Sequence, residues 1–267
     1  MFLNQEHYML RCEWGQEGIG YLGPISDVII IVDIMSFSTA IDVAVSRGAI
    51  VFPSAVVHEQ AYGKALENNA VLAGPRTNPG YNLSPASLLS VKEATRLVLP
   101  SINGSTLTMI AENIETSKEL DGASFFMQKI IMAGCIRNAQ AVAKKAVELG
   151  RSIAVIPAGE RWPDNTMRFA IEDLYGAGAL IEYIIHFMQS SNKYELKFSD
   201  GLVSPEARTL LAGYQFAKHS LFDVLKECAT GRFLIERGFE QDVYLASQLN
   251  VSTAIPQLID GAYRNVG

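Results

Sequence analysis

One stretch near the start of the chain, V-I-I-I-V-D-I-M-S-F-S-T-A, restricts the fold more than any other. Its five aliphatic residues, Val28–Val32, are typical of a strand buried on both faces, and residues 40–47 carry the apolar spacing of a helix. Asp33 is therefore expected where a strand gives way to a helix, at the edge of an α/β sheet where ligands bind. Three hydroxyl side chains follow Asp33, those of Ser36, Ser38 and Thr39. Together with the Asp33 carboxylate they can hold a metal ion and a phosphate. The alternative is structural: Ser38 or Thr39 caps the helix, and Asp33 lies near the positive end of the helix dipole.

The composition is that of a globular protein. With 49% hydrophobic and 19% charged residues, the chain can build a single unit over residues 1–267 or two lobes, 1–150 and 151–267. A net charge of −6 argues against a general nucleic-acid surface, which needs clustered Lys and Arg. No stretch approaches the roughly 20 apolar residues that span a bilayer, so we expect a cytoplasmic location and no membrane partner. The three cysteines are far apart and outside any C-x-x-C pair, so we expect them to be reduced and buried.

Strands and helices alternate along the chain, which predicts an α/β fold. After the strand at 28–32 we expect strands at residues 49–52, 70–73, 97–100 and 153–156, with helical segments between them, and an edge strand at 193–199. The first 27 residues, rich in glycine, predict only a short strand near residues 8–12.

Four of the predicted strands end in loops rich in Gly, Ser, Thr, Asn or Arg, a composition typical of anion sites. Arg76 is the natural partner for a substrate anion in one of these loops, although a solvated loop arginine explains it equally well. The S-I-N-G-S-T turn offers Asn103, Gly104 and Ser105 to phosphate oxygens. Ordinary turn chemistry also accounts for N-G-S.

A long helix predicted at residues 169–188 begins with the acidic pair Glu172 and Asp173. Adjacent helical positions point about 100° apart, so only one of the two is expected to face the site. The other is expected to complement the helix dipole or to pair with a neighbour.

Several familiar sites are excluded by their motifs. The chain has no G-x-x-x-x-G-K-[ST] nucleotide loop and no G-x-S-x-G nucleophile elbow. Its G-A-G-A segment lies inside a predicted helix, outside the strand-to-helix context of a dinucleotide fingerprint. Asp33 has no second Asp two positions later, which argues against a phosphatase that begins with D-x-D.

Six motifs follow one another between residues 28 and 256. They are V-D-I-M-S-F-S-T-A, A-G-P-R-T-N-P-G-Y-N-L-S-P, S-I-N-G-S-T, A-G-E-R, I-E-D-L-Y-G-A-G and the closing G-F-E-Q-D-V…A-I-P. In this order they make the chain resemble the 2-phosphosulfolactate phosphatase family. The resemblance implies a magnesium-dependent acid phosphatase with a three-layer α/β/α fold. It also implies hydrolysis of 2-phosphosulfolactate to sulfolactate, a step towards coenzyme M in some organisms.

The chain departs from the family pattern in its loops. Ser36 stands where the first motif of the family has an arginine, and Pro75 replaces an acidic residue before Arg76. Asn82 stands where the family has an aspartate; its carbonyl oxygen can coordinate a metal, but it carries no charge and cannot act as a general base. Two alternatives therefore stay open: a phosphatase of the same fold for another small phosphate ester, and a catalytically silent protein that binds small anions.

The mechanism we expect is that of a metal-assisted phosphomonoesterase. A Mg²⁺ ion held by Asp33 and by Glu172 or Asp173 neutralises the phosphoryl oxygens. Water then attacks in line. The candidates for catalysis are Asp33, Arg76, Asn103 and Glu172, and those for substrate binding are Ser36, Ser38, Thr39, Gly104, Ser105 and, for a second anionic group, Arg161. A homodimer is the expected assembly.

Overall fold

The computed structural model describes residues 4–55, 59–114, 117–120, 123–126, 129–191 and 201–267. The strands are β1 (Leu10–Cys12), β2 (Val28–Val32), β3 (Ile50–Ser54), β4 (Val71–Leu72), β5 (Arg96–Pro100), β6 (Ser117–Leu120), β7 (Ala123–Phe126), β8 (Ile130–Ala133), β9 (Ile153–Pro157), β10 (Glu160–Arg161), β11 (Met167–Arg168), β12 (Pro256–Ile259) and β13 (Ala262–Asn265). The helices are α1 (Gly15–Leu22), α2 (Phe37–Ser46), α3 (Glu59–Glu67), α4 (Gly104–Glu112), α5 (Ala139–Leu149), α6 (Ile171–Ser190), α7 (Pro205–Ala217), α8 (Leu221–Glu227), α9 (Ala229–Glu236) and α10 (Glu240–Ser247).

Within the described residues, nine strands form one sheet in the order β1-β9-β2-β8-β12-β13-β3-β5-β4. The strands β1, β9, β2 and β8 are parallel to one another, and so are β3, β5 and β4. The C-terminal hairpin β12–β13 lies between these two parallel groups. A single antiparallel residue pair joins it to each group, Gln257 with Met132 and Tyr263 with Val51.

Strand β2 is central because its alternate side chains face two different cores. Val28, Ile30 and Val32 pack with side chains of α5, α6 and α7, whereas Ile29 and Ile31 pack with side chains of α1, α2 and α4. All five are fully buried, which explains the unbroken aliphatic run. Helices therefore cover both faces of the sheet in the expected three-layer α/β/α arrangement.

The strands predicted from the sequence at 8–12, 49–52, 70–73, 97–100 and 153–156 are confirmed, with ends that differ by about two residues. The elements that were missed include α1, in the glycine-rich start of the chain, the short strands β10 and β11 after β9, and the hairpin β12–β13 at the end. The edge strand predicted at residues 193–199 lies outside the described residues.

The three cysteines are buried and free, as predicted. Burial raises the pKa of each thiol, so the reactive thiolate is disfavoured. Among the described residues, none of the helices combines the length and the apolar character needed to cross a membrane.

Candidate active site

Asp33 joins the loops that follow β2 and β5. Its side chain is buried, with 6% exposure. Asp33 Oδ2 accepts a 2.9 Å hydrogen bond from Gly104 N, and Oδ1 accepts a 3.3 Å hydrogen bond from Phe37 N. These donors begin α4 and α2, so the carboxylate lies at two helix N-termini, where N–H groups and helix dipoles favour negative charge.

Burial nevertheless makes the Asp33 carboxyl group hard to ionise. Its pKa is raised from 3.8 to about 7, first by burial and then by the negative charge of Glu160. The N–H groups of Gly104 and Phe37 act in the opposite direction, and Glu172 adds a smaller increase. The negative charges of Glu160 and Glu172 therefore both act on Asp33, and a nearby positive charge would favour its ionised form.

The two acidic residues of α6 have different surroundings. Asp173 Oδ1 accepts a 2.8 Å hydrogen bond from Ile34 N and Oδ2 a 2.9 Å hydrogen bond from Gly159 N, so this carboxylate ties the loop after β2 to the loop after β9. Glu172 is 2% exposed, and its Oε2 has no hydrogen-bond partner among the described residues. A buried carboxylate oxygen without a partner is unfavourable, so Glu172 is the better placed of the two to bind a cation.

Glu160 is a further carboxylate of the site and follows β9 in the A-G-E-R motif. Its Oε2 accepts a 3.1 Å hydrogen bond from Asn103 Nδ2, which brings the loop after β5 to the loop after β9. Burial raises the pKa of Glu160, the bond from Asn103 lowers it, and Glu172 raises it again. This residue was missed from the sequence, although an acidic side chain three residues after a buried strand was the available signal.

Three of the predicted substrate-binding hydroxyls hold the backbone of the loops. Ser38 Oγ accepts a 2.9 Å hydrogen bond from Asp33 N and donates one of 3.1 Å to a carbonyl of β2. Thr39 Oγ1 donates a 2.8 Å bond to a carbonyl just after β2. Ser105 Oγ accepts a 3.2 Å bond from the last N–H of β3 and donates one of the same length to β5. All three side chains are fully buried, and they fix the turns that carry Asp33 and Gly104.

Arg76, in the loop after β4, is held against the loop after β2. Its Nη2 donates a 2.9 Å hydrogen bond to Ser36 Oγ, and its Nη1 forms an ion pair with Oδ2 of the buried Asp242 in α10. Asp242 Oδ1 in turn accepts hydrogen bonds from Ser84 Oγ at 2.5 Å and from a neighbouring backbone N–H at 3.1 Å. Burial lowers the pKa of Arg76, whereas Asp242 and Asp33 raise it. The guanidinium therefore lies within electrostatic reach of Asp33.

Two further candidates shape loops at the border of the site. Asn82 Oδ1 accepts a 2.8 Å hydrogen bond from Ser84 N, and its amide nitrogen donates to carbonyls of its own loop. Arg161 Nη1 donates to both oxygens of Asn165, at 3.3 and 3.2 Å, across the turn between β10 and β11. Arg161 also lines a cavity beside the carboxylates.

Known proteins are similar to this chain over most of its length. A family model described as 2-phosphosulpholactate phosphatase matches residues 21–261. The chain belongs to the 2-phosphosulfolactate phosphatase family. A protein of Carboxydothermus hydrogenoformans named probable 2-phosphosulfolactate phosphatase is 27% identical over 236 residues, which are 86% of this chain and 85% of the relative. A protein of Methanothermobacter thermautotrophicus named 2-phosphosulfolactate phosphatase is 26% identical over 237 residues, 88% of each chain.

Membership of the 2-phosphosulfolactate phosphatase family confirms the resemblance that the six motifs carry. A third relative, named probable 2-phosphosulfolactate phosphatase in Thermus thermophilus, is 28% identical over 243 residues, 87% of this chain and 88% of the relative. The protein is therefore a phosphoric monoester hydrolase whose substrate is a phosphate ester.

The carboxylates of this phosphatase match the ligand chemistry of Mg²⁺. That ion is usually held by one or two carboxylates, while water and phosphate oxygens complete its octahedron. Asp33 and Glu172 offer such a pair, and Glu172 Oε2 lacks any other described partner. The described part of the chain contains no group of three or more His, Cys, Asp or Glu residues arranged to hold a metal. A cation bound here therefore needs further ligands from water or substrate.

Replacing Asp242 by Asn should weaken substrate binding in this phosphatase. We expect the KM for a phosphate ester to rise about tenfold or more, because Arg76 loses its buried charge partner and its fixed position against Ser36. Steady-state phosphate release gives kcat and KM separately. Asp223→Asn is the matched control, since Asp223 pairs with Lys226 on the surface and should leave both constants unchanged. A KM in the Asp242→Asn variant equal to that of the control would contradict this positioning role.

Proposed function

We propose that this enzyme is a Mg²⁺-dependent phosphatase that hydrolyses 2-phosphosulfolactate to sulfolactate and phosphate. The observation that carries the proposal is the group of three carboxyl groups, Asp33, Glu160 and Glu172, in which Asp33 accepts a hydrogen bond from the first N–H of α4. Their combined negative charge favours a divalent cation, while the nearby helix N-terminus and Arg76 favour a phosphate. The names of the relatives support the substrate.

The part that each residue plays follows from its contacts. Asp33 and Glu172 would hold the ion, which when bound would supply positive charge that stabilises the phosphoryl group. Arg76 and Asn103 donate hydrogen bonds to the phosphoryl oxygens and fix their orientation. Glu160 accepts a proton from the attacking water, a role that suits a carboxyl group whose pKa is raised by burial and by Glu172. The oxygen of water bonds to phosphorus, the ester P–O bond breaks, and the alcohol leaves with the proton that Glu160 took from the water.

Arg76 is the cation best placed to recognise the anionic substrate. The resemblance to the family implies an arginine at the position of Ser36, and Arg76 Nη2 lies 2.9 Å from the hydroxyl oxygen of that serine. The Arg76 side chain is 20% exposed, so part of the guanidinium remains accessible to a bound anion. A guanidinium from the loop after β4 is thus available beside the position where the family has its other arginine.

The location and assembly of the enzyme remain predictions from the sequence. The buried free thiols agree with a reducing compartment such as the cytoplasm. A homodimer stays the expected assembly, and recognition of nucleic acid is not expected from the net charge of −6.

Phosphate release by the purified chain tests this function. The substrates are 2-phosphosulfolactate and a panel of small phosphate esters, each with Mg²⁺ and with EDTA. We expect release from 2-phosphosulfolactate that stops in EDTA and returns when Mg²⁺ is added in excess. Phosphate release that is insensitive to EDTA would exclude a requirement for Mg²⁺. Release from other esters but not from 2-phosphosulfolactate would exclude 2-phosphosulfolactate as the substrate.

A pair of variants on α6 locates the metal in the same assay. Glu172→Gln should raise the Mg²⁺ concentration for half-maximal rate about tenfold or more, because the amide keeps the shape and loses the charge. Glu182→Gln is the matched control, since Glu182 forms a half-exposed pair with Lys218. Equal Mg²⁺ requirements in the two variants would exclude Glu172 as a ligand.

A further inference from the structure

A cavity of about 670 Å³ lies beside the carboxylate site. Asn103 and Glu160 belong both to the site and to the wall of this cavity, so a molecule bound at the carboxylates can extend into it. The volume falls within the range of roughly 300–1,000 Å³ that is usual for small-molecule pockets. The phosphoryl chemistry proposed above uses none of the remaining wall.

The charge of the wall is predominantly negative. Three carboxylates line it, from Glu13, Glu17 and Glu160, against the single guanidinium of Arg161. That guanidinium donates to Asn165 at 3.2 and 3.3 Å. Within the described part of the chain, neither Glu13 nor Glu17 forms an ion pair. Such a wall attracts positive charge, and the sulfonate and carboxylate groups of 2-phosphosulfolactate would lie outside it.

Aromatic rings form another part of the wall. Trp14 and Phe169 meet edge to face, with ring centroids 4.8 Å apart and an interplanar angle of 81°. Tyr21 lines the same cavity. Phe169 is 65% exposed and Tyr21 57% exposed, so their rings remain accessible to a ligand. Rings and carboxylates together bind organic ammonium ions, because the ring faces and the carboxylates both attract the cation.

We propose that this cavity binds an organic ammonium group, and that phosphate monoesters of amino alcohols are a further class of substrate. The ammonium group occupies the cavity between the aromatic rings and the carboxylates of Glu13 and Glu17, and the phosphate lies at the carboxylate site. The substrate part rests on the proposed function, whereas the binding of an ammonium ion does not. Hydrolysis takes the same course: Glu160 takes a proton from water, the oxygen of water bonds to phosphorus, the ester P–O bond breaks, and Glu160 returns the proton to the oxygen of the leaving amino alcohol.

Tetramethylammonium chloride is the probe for the cation site, titrated into the full chain. The sequence has two tryptophans, so a Trp162→Phe background leaves Trp14, in the cavity wall, as the only indole reporter. We expect a saturable change in fluorescence with tetramethylammonium and none with sodium chloride at equal ionic strength. Phe169→Ala should weaken binding about fivefold. Phe216→Ala, which removes an exposed ring from α7, should leave it unchanged. A response to tetramethylammonium no different from that to sodium chloride would overturn the proposal.

Phosphocholine tests the proposal that phosphate monoesters of amino alcohols are substrates. We expect Mg²⁺-dependent phosphate release, with a KM that rises about fivefold in the Phe169→Ala variant while kcat is unchanged. The KM for methyl phosphate, which has no ammonium group, should stay the same. Binding of tetramethylammonium without release from phosphocholine, in an enzyme that turns over 2-phosphosulfolactate, would overturn amino-alcohol esters as substrates. Failure to release phosphate from any ester would overturn the proposed function instead, and the binding titration would still establish the cation site.

Discussion

Asp33→Asn should lower the rate of phosphate release by a factor of about a thousand or more and leave the chain folded. The substitution keeps the shape of the side chain and removes its negative charge. The remaining carbonyl oxygen can accept only some of the hydrogen bonds that the carboxylate accepts from Gly104 N and Phe37 N. A metal ion that depends on this charge would be lost. The measurement is kcat/KM in saturating Mg²⁺, and activity equal to that of the unaltered protein would exclude Asp33 from the site.

The same Asp33→Asn substitution, which should lower activity, is expected to stabilise the metal-free protein. The pKa of Asp33 is raised from 3.8 to about 7, so folding favours the protonated form. The stability that this provides is present below the ordinary pKa and is lost as the pH rises through about 7. In EDTA at pH 8, Asp33→Asn should therefore melt at a temperature equal to or above that of the unaltered protein. The difference in melting temperature between the variant and the unaltered protein should shrink towards pH 4. Excess Mg²⁺ should stabilise the unaltered protein more than the variant. If the variant melts at a lower temperature than the unaltered protein at pH 8 in EDTA, the ionised Asp33 carboxylate does not destabilise the metal-free fold.

The position of Asp33 could be predicted from the sequence because its determinants are local. Five aliphatic residues followed by an acidic one and a helix specify a buried strand with a carboxylate at its end. The strand order could not be predicted in the same way. The hairpin β12–β13 comes last in the chain and lies in the middle of the sheet, and each of its outer contacts is a single residue pair. Each pair joins residues more than 100 positions apart in the chain, and no local pattern in the sequence indicates such a pairing.

Contacts between distant residues explain most of what was missed in the site. Arg76 and Asp242 are 166 positions apart, and nothing local to either residue indicates that they form an ion pair. The sequence also cannot separate hydroxyls that face a ligand from hydroxyls that bond to the backbone. Ser38 and Ser105 stand in turns of the right composition, yet both side chains bond to neighbouring strands. Side-chain direction at a turn depends on the packing around it, which one sequence does not reveal.

Gly104→Ala should both destabilise the protein and impair the site. A Cβ atom at this position would stand 2.6 Å from Phe37 Cγ, closer still to Phe37 Cδ1, and 2.9 Å from Asp33 Oδ2. Phe37 cannot move aside easily, because it is fully buried and packs edge to face with Tyr263. We expect a loss of about 1 to 3 kcal/mol in the free energy of unfolding, measured by urea denaturation. Phosphate release should fall as well, because α4 is displaced and its N–H no longer meets Asp33.

Gly63→Ala is the control that separates the close approach at Gly104 from a general effect of replacing glycine in a helix. Gly63 lies inside α3, and a Cβ atom there would meet nothing within 4 Å. Alanine should therefore stabilise this helix by about 0.5 to 1 kcal/mol through its better helix propensity. The two substitutions are chemically identical, so opposite signs in the free energy of unfolding can come only from their surroundings. Equal effects would mean that the contact between α4 and Phe37 is looser than the structure shows, and that Gly104 N does not need glycine to reach Asp33.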